Sequence, residues 1–70
     1  MMPVTLADIG QENLIKKIGG KSQVKNHLEN LGLNVGSTVT VLNTIGGDVI
    51  LKVRESRVAV SREMAQKIMV

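Results

Sequence analysis

His27 is the only imidazole in the chain, and no cysteine accompanies it. A tight transition-metal site needs several nitrogen, sulfur or carboxylate donors converging on one point. Here His27 would have to be joined by Glu29 or Asp48 through the tertiary fold, and no motif fixes either at ligand spacing. On a helix His27 falls beside Val24 and Leu28, at the edge of an apolar stripe, which is the place of an ordinary boundary residue. The serines have no histidine base at a spacing that nucleophilic catalysis uses. Gly19-Gly20-Lys21-Ser22 carries the letters that end a phosphate-binding loop, but the full G-x-x-x-x-G-K-S pattern requires glycine at position 15, where Ile15 stands. No catalytic residue, cofactor site or metal site is therefore expected, and the chain does not read as an enzyme.

Composition narrows the partners. The 70 residues include no Phe, Trp or Tyr, so the core must be built from Val, Ile, Leu and Met. No aromatic ring is present on which a base could stack, which argues against single-stranded nucleic acid as a ligand. Nor can an aromatic-lined groove for proline-rich peptides form. The net charge is +3. Lys16, Lys17, Lys21 and Lys25 lie close together, offset by Glu12 and Glu29, and read first as a solvated face. Their functional reading is a weak attraction to acidic protein or lipid headgroups. "MMPVTLADIG" lacks a basic region followed by an apolar run, and no apolar stretch approaches the ~20 residues that span a bilayer. We expect a cytoplasmic protein with no direct membrane insertion, folded as a single domain over residues 1–70. A chain of this size buries only about 60% of its unfolded surface, so its core must be made efficiently.

The elements follow from periodicity. Thr5 is a candidate N-cap for one helical turn with Leu6 and Ile9 facing inward and Asp8 near the positive end of its dipole. Asn13–Ile18 reads as a strand whose alternation is broken, so that a bulge or bend would put both Ile15 and Ile18 inside. "KSQVKNHLENLG" is the one full helix, with Ser22 as its cap, Val24, Leu28 and Leu31 on one face, and Gly32 closing its end. Leu33 and Val35 are expected to drop into the core, and Gly36 to turn the chain into the next strand. There Val39 and Val41 alternate with Thr38 and Thr40. Gly46-Gly47 predicts a tight hairpin turn with positive φ at both positions. Val49, Leu51 and Val53 face one side of the third strand, and Glu55-Ser56 marks a second turn. A fourth strand turns Val58 and Val60 inward, Ser61 caps a final helical segment with Met64 and Ile68 one turn apart, and Met69-Val70 returns to the sheet. Short strands joined by tight turns predict a mainly β fold: a small SH3-like barrel of about five strands, decorated by one main helix and short helical turns.

What remains for function is contact. Ile45 sits at the Gly46-Gly47 tip with nothing obvious to bury it, and Ile50 and Ala59 fall on the outer face of neighbouring strands. Singly, such residues are normal. Brought together on an edge they would form a small docking patch.

"LENLGLNVGSTVTVL" resembles the signature of the ferrous-iron transport protein A (FeoA) family, in which a helix ending in Leu-x-x-Leu-Gly runs through a short Gly-containing loop into a Val-rich strand. "TLADIGQENLIKKIGG" is similar to that family's opening, "GGDVILKV" to its central hairpin, and "SRVAVSREMAQKIMV" to its closing segment. Val35 and Val49 stand where many members have proline, and Ser61 where Arg is common, with Arg62 next to it. The resemblance implies an accessory protein of bacterial ferrous-iron uptake whose partner is FeoB, a membrane GTPase–permease, reached at its cytosolic parts. A docking site would then comprise Ile45, Ile50, Ala59 and Arg62. Transition-metal handling is implied by the family alone. The alternative is an SH3-like regulatory module resembling the C-terminal domain of iron-dependent repressors, bound to a protein or peptide.

Overall fold

The computed structural model describes all 70 residues. A 3₁₀ turn (Val4–Leu6) leads into β1 (Glu12–Leu14), β2 (Lys17–Ile18) and the helix α1 (Ser22–Asn30). Then come β3 (Thr38–Ile45), β4 (Asp48–Val53), β5 (Ser56–Ser61), the short α2 (Arg62–Ala65) and β6 (Ile68–Met69). β1, β3, β4 and β5 form an antiparallel sheet in that order, and β2 pairs with β6 in a second, two-stranded sheet. This is the mainly β, SH3-like architecture that the periodicity predicts, with six strands because the Asn13–Ile18 segment divides in two. The division lies at Ile15-Lys16. The Ile15 N–H donates to the Ser37 carbonyl at 2.8 Å, prolonging β1 along β3, and the Lys16 N–H donates to the Met69 carbonyl at 2.8 Å, beginning the ladder to β6. The chain changes sheets between adjacent residues, so both Ile15 and Ile18 become buried.

Alternation builds the core. Val39 and Val41, then Val49, Leu51 and Val53, then Val60 supply one face of β3, β4 and β5, and the buried set contains no polar or charged residue. The first helical turn has the opposite phase from the expected one. Pro3, with φ −60°, starts it two residues before Thr5. Val4 and Ala7, three apart and therefore on one side of a 3₁₀ turn, are buried, while Leu6 and Ile9 are each 68% exposed.

α1 buries Leu28 and packs Val24 and Leu31 partly against the core. Its cap is not Ser22, which is the first helical residue; Lys21 holds the N-cap position with φ −74° and ψ 162°, and no side chain bonds the free N–H groups. Lys21 already has the backbone of a good cap, so Lys21→Ser is expected to stabilise the fold by about 1 kcal/mol, readable as a raised denaturation midpoint in far-ultraviolet circular dichroism. At the other end the Gly32 N–H donates to the Glu29 carbonyl and the Leu33 N–H to the Leu28 carbonyl, both at 2.9 Å, with Gly32 at φ +90°. These two bonds are a Schellman closure, and it carries Leu33 into the core beside Leu28.

The joint continues as a turn over Asn34–Ser37, closed by the Ser37 N–H to the Asn34 carbonyl at 3.0 Å, with Gly36 at φ +92°. Val35, expected inside, occupies the turn's exposed corner at 62%. The Gly36 N–H donates to the Ile15 carbonyl at 2.9 Å. The helix-to-strand joint is thus bolted to the point where the chain changes sheets.

Both hairpin turns depart from expectation. Of Gly46 and Gly47 only Gly46 has positive φ, +61°, the pattern of a type II′ turn. The second turn is Arg54-Glu55, one residue earlier than expected, because Ser56 already pairs with Val53. Arg54 is the one non-glycine residue with positive φ, +55°. That conformation crowds a Cβ against its own backbone. Arg54→Gly is expected to raise stability by about 1 kcal/mol, the relieved strain exceeding the added chain entropy.

At α2 the Ser61 Oγ accepts from the Met64 N–H at 3.2 Å, the expected cap. The helix stops at Ala65, its buried residue, so Ile68 reaches the core from β6 and not from a second helical turn. Reciprocal bonds of 2.9 and 2.8 Å join the backbones of Met2 and Val70.

Candidate docking surface

The residues that alternate with the core form the outer face of the four-stranded sheet, and its register arranges them in rows. Asn43, Ile50 and Ala59 make one row across β3, β4 and β5; Ile45, Asp48 and Ser61 make the next, toward the hairpin tip. Arg62 follows Ser61 and donates its backbone N–H to the Gly47 carbonyl at 3.1 Å. Ile45, Ile50 and Ala59 therefore occupy one end of one face, and Arg62, the first residue of α2, borders the hairpin through its backbone. Ile45, Ala59 and Arg62 are exposed, and Ile50 is half-buried among its neighbours.

Ile45 reaches this face through a bulge. Counting by twos from Val39 and Val41, Ile45 would point into the core. The register shifts between Val41, opposite Leu51, and Asn43, opposite Ile50. Leu42 is the extra residue, and beyond it the alternation reverses. Ile45 lands opposite Asp48 on the outer face, 62% exposed. Leu42 itself is half-buried and was not singled out from the sequence, since a bulge leaves no mark in a run of Val, Thr and Leu.

The other end of the same face is polar. Glu12, Thr40, Lys52 and Arg57 form a row across all four strands. Lys16, Lys17, Lys21 and Lys25 are all exposed, as a solvated face requires. His27 is exposed on α1, and no group of three or more His, Cys, Asp or Glu side chains converges to hold a metal ion. No helix is long and apolar enough to cross a membrane.

Barrel, helix-to-strand joint and exposed sheet face together define the class: a small SH3-like β domain. A family model described as the FeoA domain matches residues 2–70. A relative from Methanocaldococcus jannaschii with the provisional name Fe(2+) transport protein A is 36% identical over 70 residues, covering 100% of this chain and 85% of that protein. The crystal structure of an iron uptake regulatory protein (FeoA) superposes with a TM-score of 0.86 at 25% identity, covering 96% of this chain and 89% of the other. The solution structure of FeoA from Chlorobium tepidum gives a TM-score of 0.87 at 20% identity over 97% of this chain and 67% of the other, a likeness of fold. The chain belongs to the FeoA family, which serves Fe(2+) transport.

Proposed function

We propose that this protein is a cytoplasmic accessory factor of ferrous-iron uptake that binds the cytosolic part of the FeoB membrane GTPase–permease and shifts its conformational balance. Ferrous iron is the cargo of that system, and this chain acts on the carrier by contact. The observation that supports the reading most is the bulge at Leu42, which turns Ile45 out of the core and sets it beside the Ile50–Ala59 row. An aliphatic side chain placed outward by a local irregularity of the strand is a natural anchor for a partner's apolar pocket, with Arg62 at the rim for an acidic group. Through that partner the protein would reach the inner face of the membrane without entering it.

The test is a titration of ¹⁵N-labelled protein with the soluble GTPase domain of FeoB. Saturable shifts are expected at the amides of residues 42–50 and 59–62. Shifts confined to α1, or none at all, would reject the surface. Recovery of a DNA-binding protein in place of the GTPase on co-purification would favour the regulatory-module alternative.

A further inference from the structure

We propose that the polar end of the outer sheet face is a binding site for a phosphate group. A concavity of about 180 Å³ opens there, lined by Glu12, Thr38, Thr40, Lys52 and Arg54. None of these is apolar, and none belongs to the docking rows. Three strands and a turn build it: Glu12 from β1 pairs with Thr40 of β3, Thr40 pairs with Lys52 of β4, and Arg54 stands in the turn that follows. An ammonium and a guanidinium bring two positive charges, and two threonine hydroxyls add donors that rotate to suit the ligand. One carboxylate leaves the lining with a net charge of +1. A divalent cation would meet two like charges and a single carboxylate, so the chemistry selects an anion.

Charge and size favour phosphate. A phosphate monoester carries about −1.5 to −2 charge and three strong acceptor oxygens, enough to engage Lys52, Arg54 and a threonine at once. The concavity is smaller than the ~300 Å³ at the low end of small-molecule pockets, so it suits one head group whose carrier stays in solvent.

A second observation falls on the same residue. Arg54, which lines the concavity, is the one non-glycine residue held at positive φ. Glycine would make that turn better. Strain retained at a residue whose side chain faces a concavity is the pattern of a positioned binding group.

The experiment is a titration of ¹⁵N-labelled protein with inorganic phosphate at ionic strength held constant with chloride, and with acetate in parallel. Saturable shifts are expected at residues 12, 38–40 and 52–55, with acetate weaker. Lys52→Gln and Arg54→Gln should each weaken binding by roughly tenfold or more, the size of one charge-assisted hydrogen bond. Glu12→Gln should tighten it, by removing the like charge. Arg54→Gly should weaken binding at least as much as Arg54→Gln while gaining thermal stability, which separates a lost ligand group from a damaged fold. Non-saturable shifts spread over all lysines, acetate binding as tightly as phosphate, or weaker binding by Glu12→Gln would each overturn the site. Co-sedimentation with phosphatidylcholine vesicles doped with phosphatidic acid distinguishes the source. Retention lost in Lys52→Gln assigns a lipid headgroup, whereas phosphate binding without retention assigns a soluble phosphate.

Discussion

Leu33→Ala is expected to destabilise the domain by about 3 kcal/mol, within the range measured for buried leucines elsewhere. Leu33 has no exposed surface. It follows Gly32 in the Schellman closure, and its N–H is bonded to the carbonyl of Leu28, itself fully buried. Truncation removes a side chain that joins helix to sheet and leaves a cavity where the backbone on both sides is pinned, by Gly32 to Glu29 and by Gly36 to Ile15. Collapse around the void is therefore limited, and relaxation should recover little of that cost. A domain of this length has roughly 4–10 kcal/mol to lose. The midpoint of thermal unfolding should fall by roughly 12–24 °C, followed by far-ultraviolet circular dichroism because the chain has no aromatic fluorophore. Val35→Ala, two residues on and 62% exposed, should stay within ~0.5 kcal/mol of the parent. Equal losses at the two positions would mean that the joint is not anchored by Leu33.

On the proposed docking to FeoB, Ile45→Asp is expected to weaken binding to its GTPase domain by ~30-fold or more, about 2 kcal/mol, the size of a central apolar anchor. The replaced side chain is exposed in the free protein, so the fold should persist with a loss of no more than about 1 kcal/mol from the like charges. The new carboxylate would stand opposite Asp48 across the hairpin and burden the interface with a second negative charge. Ile50→Asp should act in the same direction, with some loss of stability because Ile50 is half-buried. Binding at parental strength in both variants, measured by calorimetry, would remove this face from consideration.

Local pattern made much of the architecture legible. Val39, Val41, Val49, Leu51, Val53 and Val60 announce their strands by alternation, and Gly32 and Ser61 announce a helix end and a helix start. What stayed hidden depends on phase or on distant pairing. Val4/Ala7 and Leu6/Ile9 are both apolar pairs at the spacing of a 3₁₀ turn, so only docking against the sheet decides which is buried. Lys21 took the cap from Ser22 because the helix begins one residue earlier than its best capping side chain would choose. Of the candidate docking residues, Ile50, Ala59 and Ile45 were recognisable as outward from turn and alternation, while the bulge that delivers Ile45 was not. The polar concavity was the least visible feature. Glu12 joins Lys52 only through the β1–β3 pairing, and Arg54 enters only because the second turn sits one residue earlier than its residue types suggest.

The paired backbones of Met2 and Val70 make the domain almost a closed ring. A ring can be cut elsewhere. Joining these ends through a short Gly/Ser linker and opening the chain at Glu55 should give a circular permutant that keeps the same barrel. For the same reason the whole domain can be spliced into a surface loop of a larger protein as a cassette, since its entry and exit points lie side by side.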